Sequence, residues 1–326
     1  MSRFDYLQLN PELRFAGRLI SLVNPMFTVR RMRVMAKLCR VMRGQHGKRL
    51  NYEQIYIDRA DGSKQRLCVY TPLVRKMGVP GILWIHGGGY AIGVPEQDEG
   101  FIQRFIDESG AVVIAPDYTL SGEKPYPAAL DDCYAALLWL RDKGERYGMR
   151  SDQIFIGGDS AGGGLTAAVS LLARDKGDVN IAFQMLLYPM LDDRPTATSK
   201  ENYAPLWNTK SNYNAWKLYL CQRYGSSDVP AYAAPARATD YSGLPPTCSF
   251  VGSVEPFRDE TETYIQNLQE AGIKVAFKLF DGCFHAFDMV CGKSKIGKEA
   301  TSFLMENFKY ATQNYFAEQP KTRDAN

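Results

Sequence analysis

The chain has 326 residues, of which 45% are apolar and 23% charged, and a formal net charge of +3. That is the balance of a soluble globular protein with length enough for a sizeable core in one large or two small domains. So small a net charge leaves no electrostatic footprint for nucleic acid. No apolar run of about 18 residues exists to span a membrane, and Arg3, Asp5, Glu12, Arg14 and Arg18 interrupt any secretory leader.

The first 50 residues read as helices. Asn10 is placed to cap one, with Pro11 at its first position and Glu12 in its first turn. Leu13, Ala16, Ile20 and Val23 then recur at helical spacing until Asn24-Pro25 stops the run. A second helix is expected over about residues 27–43, with Met32, Met35, Cys39 and Met42 on one face. From Leu13 to Tyr52 there are ten Lys or Arg and no acid. Two readings stay open for this segment: a solvated polar face, or a face that attracts an anionic surface or an acidic substrate. In either case the unbranched methionines, with Met26, suit a mobile wall over a pocket.

The pattern then changes to strands. IYIDR (55–59) and LCVYTP (67–72) flank the turn Asp61-Gly62. GILWIH (81–86), AVVIAP (111–116), QIFIGG (153–158), FQMLLY (183–188) and TCSFVG (247–252) are short apolar runs, as expected of strands buried on both faces of a parallel sheet, and VAFKLF (275–280) is the last strand candidate. Helical stretches near 97–109, 126–148, 160–174, 258–271 and 295–314 alternate with them, which predicts an α/β doubly wound sheet. Residues 195–232 break the alternation and are rich in Tyr, Trp, Asn and Lys. They read as an insertion above the sheet, forming a helical cap with residues 1–50. The core is then 51–194 and 233–326. Seven cysteines, an odd number at wide spacings with no CxxC pair, argue against a zinc or redox site and for a reducing, cytoplasmic setting.

Two glycine-rich segments carry chemistry. Gly158-Asp159-Ser160-Ala161-Gly162 follows a strand and opens a helix, the context of a nucleophile elbow, in which the turn is too tight for side chains at Gly158 and Gly162. HGGGY (86–90) also follows a strand. Its successive glycines let backbone N–H groups converge on one spot, as an ester's oxyanion requires. Gly88, Gly89 and the amide of Ala161 are the expected donors. A base for Ser160 must be a histidine, and only His46, His86 and His285 exist. His46 sits in a basic connector and His86 shapes the glycine turn. His285, between the last strand and the last helix, fits the order Ser, acid, His. The acid is expected three residues past a strand, at Glu255; Asp259, in the first turn of the next helix, is the rival.

HGGGY, GDSAGG, LLYPML, YAAPARATDYSGLPPT, EPFRDE and FHAF occur in an order that resembles the hormone-sensitive-lipase family of α/β-hydrolase carboxylesterases, across about residues 50–310. The resemblance implies an α/β-hydrolase fold with a mostly parallel sheet and a helical cap, no metal or organic cofactor, and hydrolysis of short acyl esters through an acyl-enzyme. Two positions depart from the family. Glu255 stands where it usually has Asp, and Thr119, Ser121 and Gly122 alter its DYRLAPE-type segment. The chain also lacks a long apolar lid, while Tyr203, Trp207, Tyr213, Trp216 and Tyr219 supply rings either to close a small pocket or to fill a cap core. The expected partner is a small-molecule ester, with a homodimer left open and neither nucleic acid nor a stable membrane anchor. An amidase or peptidase using the same residues, and a non-catalytic ligand receptor on this fold, are the rival readings.

Overall fold

Asp61 and Gly62 reverse the chain as expected: the Asp61 carboxylate accepts from the Ser63 N–H and hydroxyl, and Gly62 takes φ +81°. The strands on either side, β1 (Leu50–Asp58) and β2 (Lys64–Pro72), pair antiparallel in register. The computed structural model describes residues 4–23 and 27–320. Six further strands follow: β3 (Val79–Ile85), β4 (Val112–Pro116), β5 (Met149–Asp159), β6 (Phe183–Leu187), β7 (Thr247–Gly252) and β8 (Val275–Phe280). All eight join one sheet in the order β1-β2-β4-β3-β5-β6-β7-β8, antiparallel only where β2 meets β1 and β4. The long helices are α1 (Arg14–Val23), α2 (Val29–Cys39), α3 (Glu99–Ser109), α4 (Ala128–Lys143) and α5 (Ala161–Lys176). After β6 come the short α6 (Ala197–Lys200), α7 (Thr209–Leu220), α8 (Arg258–Glu270), the one-turn α9 (Phe287–Val290) and α10 (Lys295–Asn314).

The central strands show why their sequences are unbroken apolar runs. Along β3 and β4, Leu83, Ile85, Val112 and Ile114 face a core with α4 and α5, while Ile82, Trp84, Val113 and Ala115 face a second core with α3 and α10. Successive side chains point to opposite faces, and helices cover both, so every position is apolar. The chain runs β3, α3, β4 to one side, then crosses through α4 to β5 on the other. The order therefore reverses at β3 and β5, and a crevice opens beyond their carboxyl ends.

The N-terminal segment packs against the segment between β6 and β7. Asn10 caps the turn Pro11–Leu13 that leads into α1, as its sequence predicts. Contacts from the insertion hold Phe27: its N–H donates to Ser211 Oγ at 3.1 Å, its carbonyl accepts from Asn214 Nδ2 at 2.9 Å, and its ring lies 5.5 Å from that of Trp207. Of the expected methionine face, Met32 is buried, Cys39 and Met42 are half-buried and Met35 is exposed. Met26 and the helix stop at Asn24-Pro25 lie outside the described residues. All seven cysteines are free.

Candidate active site

Ser160 follows β5 directly and opens α5, with φ +56° and ψ −121°. This left-handed backbone is costly for a residue with a Cβ and is held only by its surroundings. The neighbouring glycines are obligatory on steric grounds. A Cβ at Gly158 would lie 2.4 Å from the Ile85 carbonyl oxygen, and one at Gly162 would lie 2.0 Å from the same atom. The elbow is therefore pressed against the end of β3, where HGGG begins.

The structure brings three of the expected side chains into one chain of hydrogen bonds. Ser160 Oγ lies 2.9 Å from His285 Nε2, and His285 Nδ1 lies 2.5 Å from Glu255 Oε2. The other Glu255 oxygen accepts from the Gly252 N–H at 2.9 Å. Glu255 is fully buried, and Ser160 and His285 are each 4% exposed. The rings of Tyr188 and Phe257 meet the imidazole edge-on, with centroids 5.0 and 5.1 Å away, and restrict its rotation. Asp259 turns elsewhere: its carboxylate accepts from the Thr198 N–H and from Arg258. His86 stacks on Tyr118, and burial pushes its imidazole down to about 4, so it stays neutral near pH 7. His46 is exposed beside Tyr52.

The glycine loop starts against the elbow, where a Cβ at Gly162 would also lie 2.6 Å from the His86 carbonyl oxygen. Gly88 and Gly89 take φ +121° and +59°, which glycine adopts without steric cost. Among the described residues, neither amide donates to a protein acceptor. Ala161 opens α5, so its N–H is one of the first-turn donors with no partner inside the helix.

This geometry coincides with clear relatives. The profile of the α/β-hydrolase fold matches residues 82–289. Esterase LipI of Mycobacterium tuberculosis is 33% identical over 225 residues, covering 68% of this chain and 70% of its own. The arylesterase of Saccharolobus solfataricus is 30% identical over 240 residues, 72% of this chain and 76% of its own. Among solved structures, a bacterial heroin esterase superposes with a TM-score of 0.84 at 32% identity, over 94% of this chain and 99% of its own. The chain belongs to the hormone-sensitive-lipase-like α/β hydrolases. It is a carboxylic ester hydrolase.

Three features of this hydrolase lie beyond the sequence reading. Behind the elbow, the Asp159 carboxylate accepts from the Gly87 N–H at 2.8 Å, tying the glycine loop to the residue before Ser160. Asp98, which accepts from Trp84 Nε1 at 3.0 Å, and Asp288 share this interior. Burial and the Asp98 carboxyl push Asp159 well above the usual carboxylate range, and burial raises Asp98 to about 6 and Asp288 to about 7. The only sequence signal was that Asp159 lies inside the elbow motif. The second feature is Glu260, fully enclosed, which accepts from the Leu191 and Asp192 N–H groups. Third, the five aromatic rings divide. Tyr203 and Tyr213 are exposed, while Trp216 and Tyr219 pack on Tyr90. Trp207 covers the site, for a Cβ at Gly89 would meet its ring at 2.4 Å and its centroid lies 6.2 Å from that of His285.

Proposed function

We propose that this hydrolase is a serine carboxylesterase for short acyl esters, with Ser160 as nucleophile, His285 as base, Glu255 as the orienting acid, and Gly88, Gly89 and Ala161 as oxyanion donors. The observation that carries the reading is the unbroken chain Ser160 Oγ–His285 Nε2 and His285 Nδ1–Glu255, at 2.9 and 2.5 Å, together with glycine amides that find no protein acceptor among the described residues. His285 takes the Ser160 proton as Oγ attacks the ester carbonyl. The oxyanion forms against the backbone donors, and the imidazolium returns its proton to the departing alkoxide. Water then attacks the acyl-enzyme with His285 again as base, releasing the acid and restoring Ser160. Glu255 differs from Asp by one methylene, and the Gly252 N–H on its second oxygen supports a fixed carboxylate, one that holds the imidazole tautomer and stabilises the imidazolium.

The preference for short chains is supported by the aromatic rings stacked over the glycine loop. Trp207 rests on Gly89, and Phe27 rests on Trp207. Residues 1–50 and 195–232 accordingly act as the cap. An acyl-chain series of p-nitrophenyl esters tests the reading. Turnover should be fastest at about eight carbons or fewer, where burial is worth roughly 0.8 kcal/mol per methylene only until the pocket is filled. Efficient hydrolysis of emulsified long-chain triacylglycerol contradicts it. Turnover of matched anilides at rates equal to the esters would reassign the enzyme as an amidase.

A further inference from the structure

An ordinary surface helix buries its apolar stripe and turns polar residues to water. α1 and α2 do this only in part. Leu13, just before α1, and Met32 in α2 are buried against the core. Yet the outward side of α1 carries Phe15, Leu19 and Leu22, and that of α2 and its following turn carries Val34, Leu38 and Val41. Each set follows the spacing i, i+4, i+7, so it forms a ridge on one face. The ridges are well exposed: Phe15 81%, Leu22 80% and Val41 71%.

The flanks of these ridges are cationic. Arg18 lies beside the first, and Arg30, Arg33 and Lys37 beside the second. Among the described residues, Arg30, Arg33 and Lys37 meet no carboxylate. Residues 13–52 hold ten of the chain's 39 Lys and Arg and none of its 36 Asp and Glu, so the rest of the chain is net acidic; of the ten, Arg40, Arg43 and Arg49 pair with Glu123, Asp117 and Asp107. Apolar ridges rimmed by cations on helices too short to cross a bilayer are the pattern of interfacial binding.

We propose that the outward faces of α1 and α2 are a reversible docking surface for an anionic lipid interface. Phe15, Leu19, Leu22, Val34, Leu38 and Val41 enter the headgroup boundary, and the flanking cations meet the lipid phosphates. A second copy of the chain is a poorer occupant, because two-fold apposition of this face sets its cations against the same cations. The contact comes from helix ridges and not from a lid, so it holds the enzyme at the surface without opening the site to long chains. The proposal does not rest on the assignment of Ser160, since docking requires no turnover.

Co-flotation of the full-length chain with vesicles tests it. The chain should float with phosphatidylcholine vesicles containing about one-third phosphatidylglycerol, stay behind with phosphatidylcholine alone, and release as salt rises well above about 0.1 M, where screening falls within roughly 10 Å. Leu38→Glu/Val41→Glu and Arg30→Glu/Lys37→Glu should each weaken binding at least about tenfold, in keeping with roughly fivefold per cation at an anionic surface. Both should keep the wild-type melting temperature and turnover of a water-soluble ester. Equal flotation with neutral vesicles, or double variants that bind like the wild type, overturns the proposal. So does a sedimentation result in which these substitutions break a dimer and leave vesicle binding unchanged.

Discussion

Glu255 and Asp259 lie four residues apart and both follow β7, yet only one reaches the imidazole. Glu255 is enclosed with one oxygen on His285 and the other on the Gly252 N–H, whereas Asp259 serves the Thr198 N–H and Arg258. Loss of an orienting carboxylate leaves the histidine free to adopt the wrong tautomer and costs on the order of ten-thousandfold in kcat. Removing the charge that strengthens the hydrogen bonds Asp259 accepts in the first turn of α8 costs about 1 kcal/mol of stability. Glu255→Gln should therefore lower kcat by three to four orders of magnitude, as order-of-magnitude estimates, with an unchanged melting curve. Asp259→Asn should show the reverse, near-normal kcat and a slightly lower melting temperature. Steady-state kinetics and thermal melts on the two variants decide it, and the opposite ranking moves the role to Asp259.

At the scale of the elements, the elbow is where packing is least forgiving. Gly162→Ala would place a Cβ 2.0 Å from the Ile85 carbonyl oxygen, a backbone atom that moves only if β3 and β5 part. Gly100, exposed in α3, has nothing nearer than the mobile end of Arg104, at 3.5 Å. Urea unfolding should show Gly162→Ala losing more than about 4 kcal/mol, while Gly100→Ala gains about 0.5 kcal/mol from a less flexible unfolded chain. A Gly162→Ala variant within about 1 kcal/mol of wild type contradicts this account of the elbow. The same steric logic explains what was legible in the sequence. Strands covered on both faces leave unbroken apolar runs, and a strand-to-helix turn without room for a Cβ leaves glycines, so β3 to β7, HGGG and the elbow could be read locally, while the half-exposed edge strand β8 showed only as the short run VAFKLF. The first half of β1 could not. As an edge strand it keeps only Leu50 buried, with Asn51, Glu53 and Gln54 exposed, and Leu50–Gln54 carries no apolar run. The acids behind the elbow were hidden because Asp98, Asp159 and Asp288 meet only in the folded chain. In α1 the periodicity picked out the inward face, where Leu13 is buried and Ala16 and Ile20 are half-buried, but gave no sign that Phe15, Leu19 and Leu22 would stand exposed on the other side.

Across the whole molecule, a buried ionic cluster joins the N-terminal segment to the sheet. Arg66 on β2 pairs with Glu96 at 2.6 Å and with Asp117 at 2.9 Å. Glu96 also accepts from the Gly44 N–H and the Tyr52 hydroxyl, and Arg43 reaches Asp117. Burial alone would raise the Glu96 carboxyl, but the Arg66 guanidinium and the Gly44 N–H outweigh it and hold it at about 2, below its ordinary 4.5. A folded value below the unfolded one gives stability that is present above about 4.5 and lost as pH falls toward about 2. Glu96→Gln, which leaves Arg66 less well paired, should cost on the order of 3 kcal/mol near neutrality. Its gap to the wild type should narrow as pH falls through that window, as urea unfolding at several pH values will show. A gap independent of pH would mean that the cluster stabilises by packing alone. The central claim, that Ser160 is the nucleophile of an acyl-enzyme esterase, is tested most directly by a fluorophosphonate probe followed by peptide mapping. Covalent label should fall on Ser160 in the wild type and vanish in Ser160→Ala, together with ester turnover reduced on the order of a millionfold and an intact fold. Label on another residue, or more than a few per cent of activity left in Ser160→Ala, contradicts it.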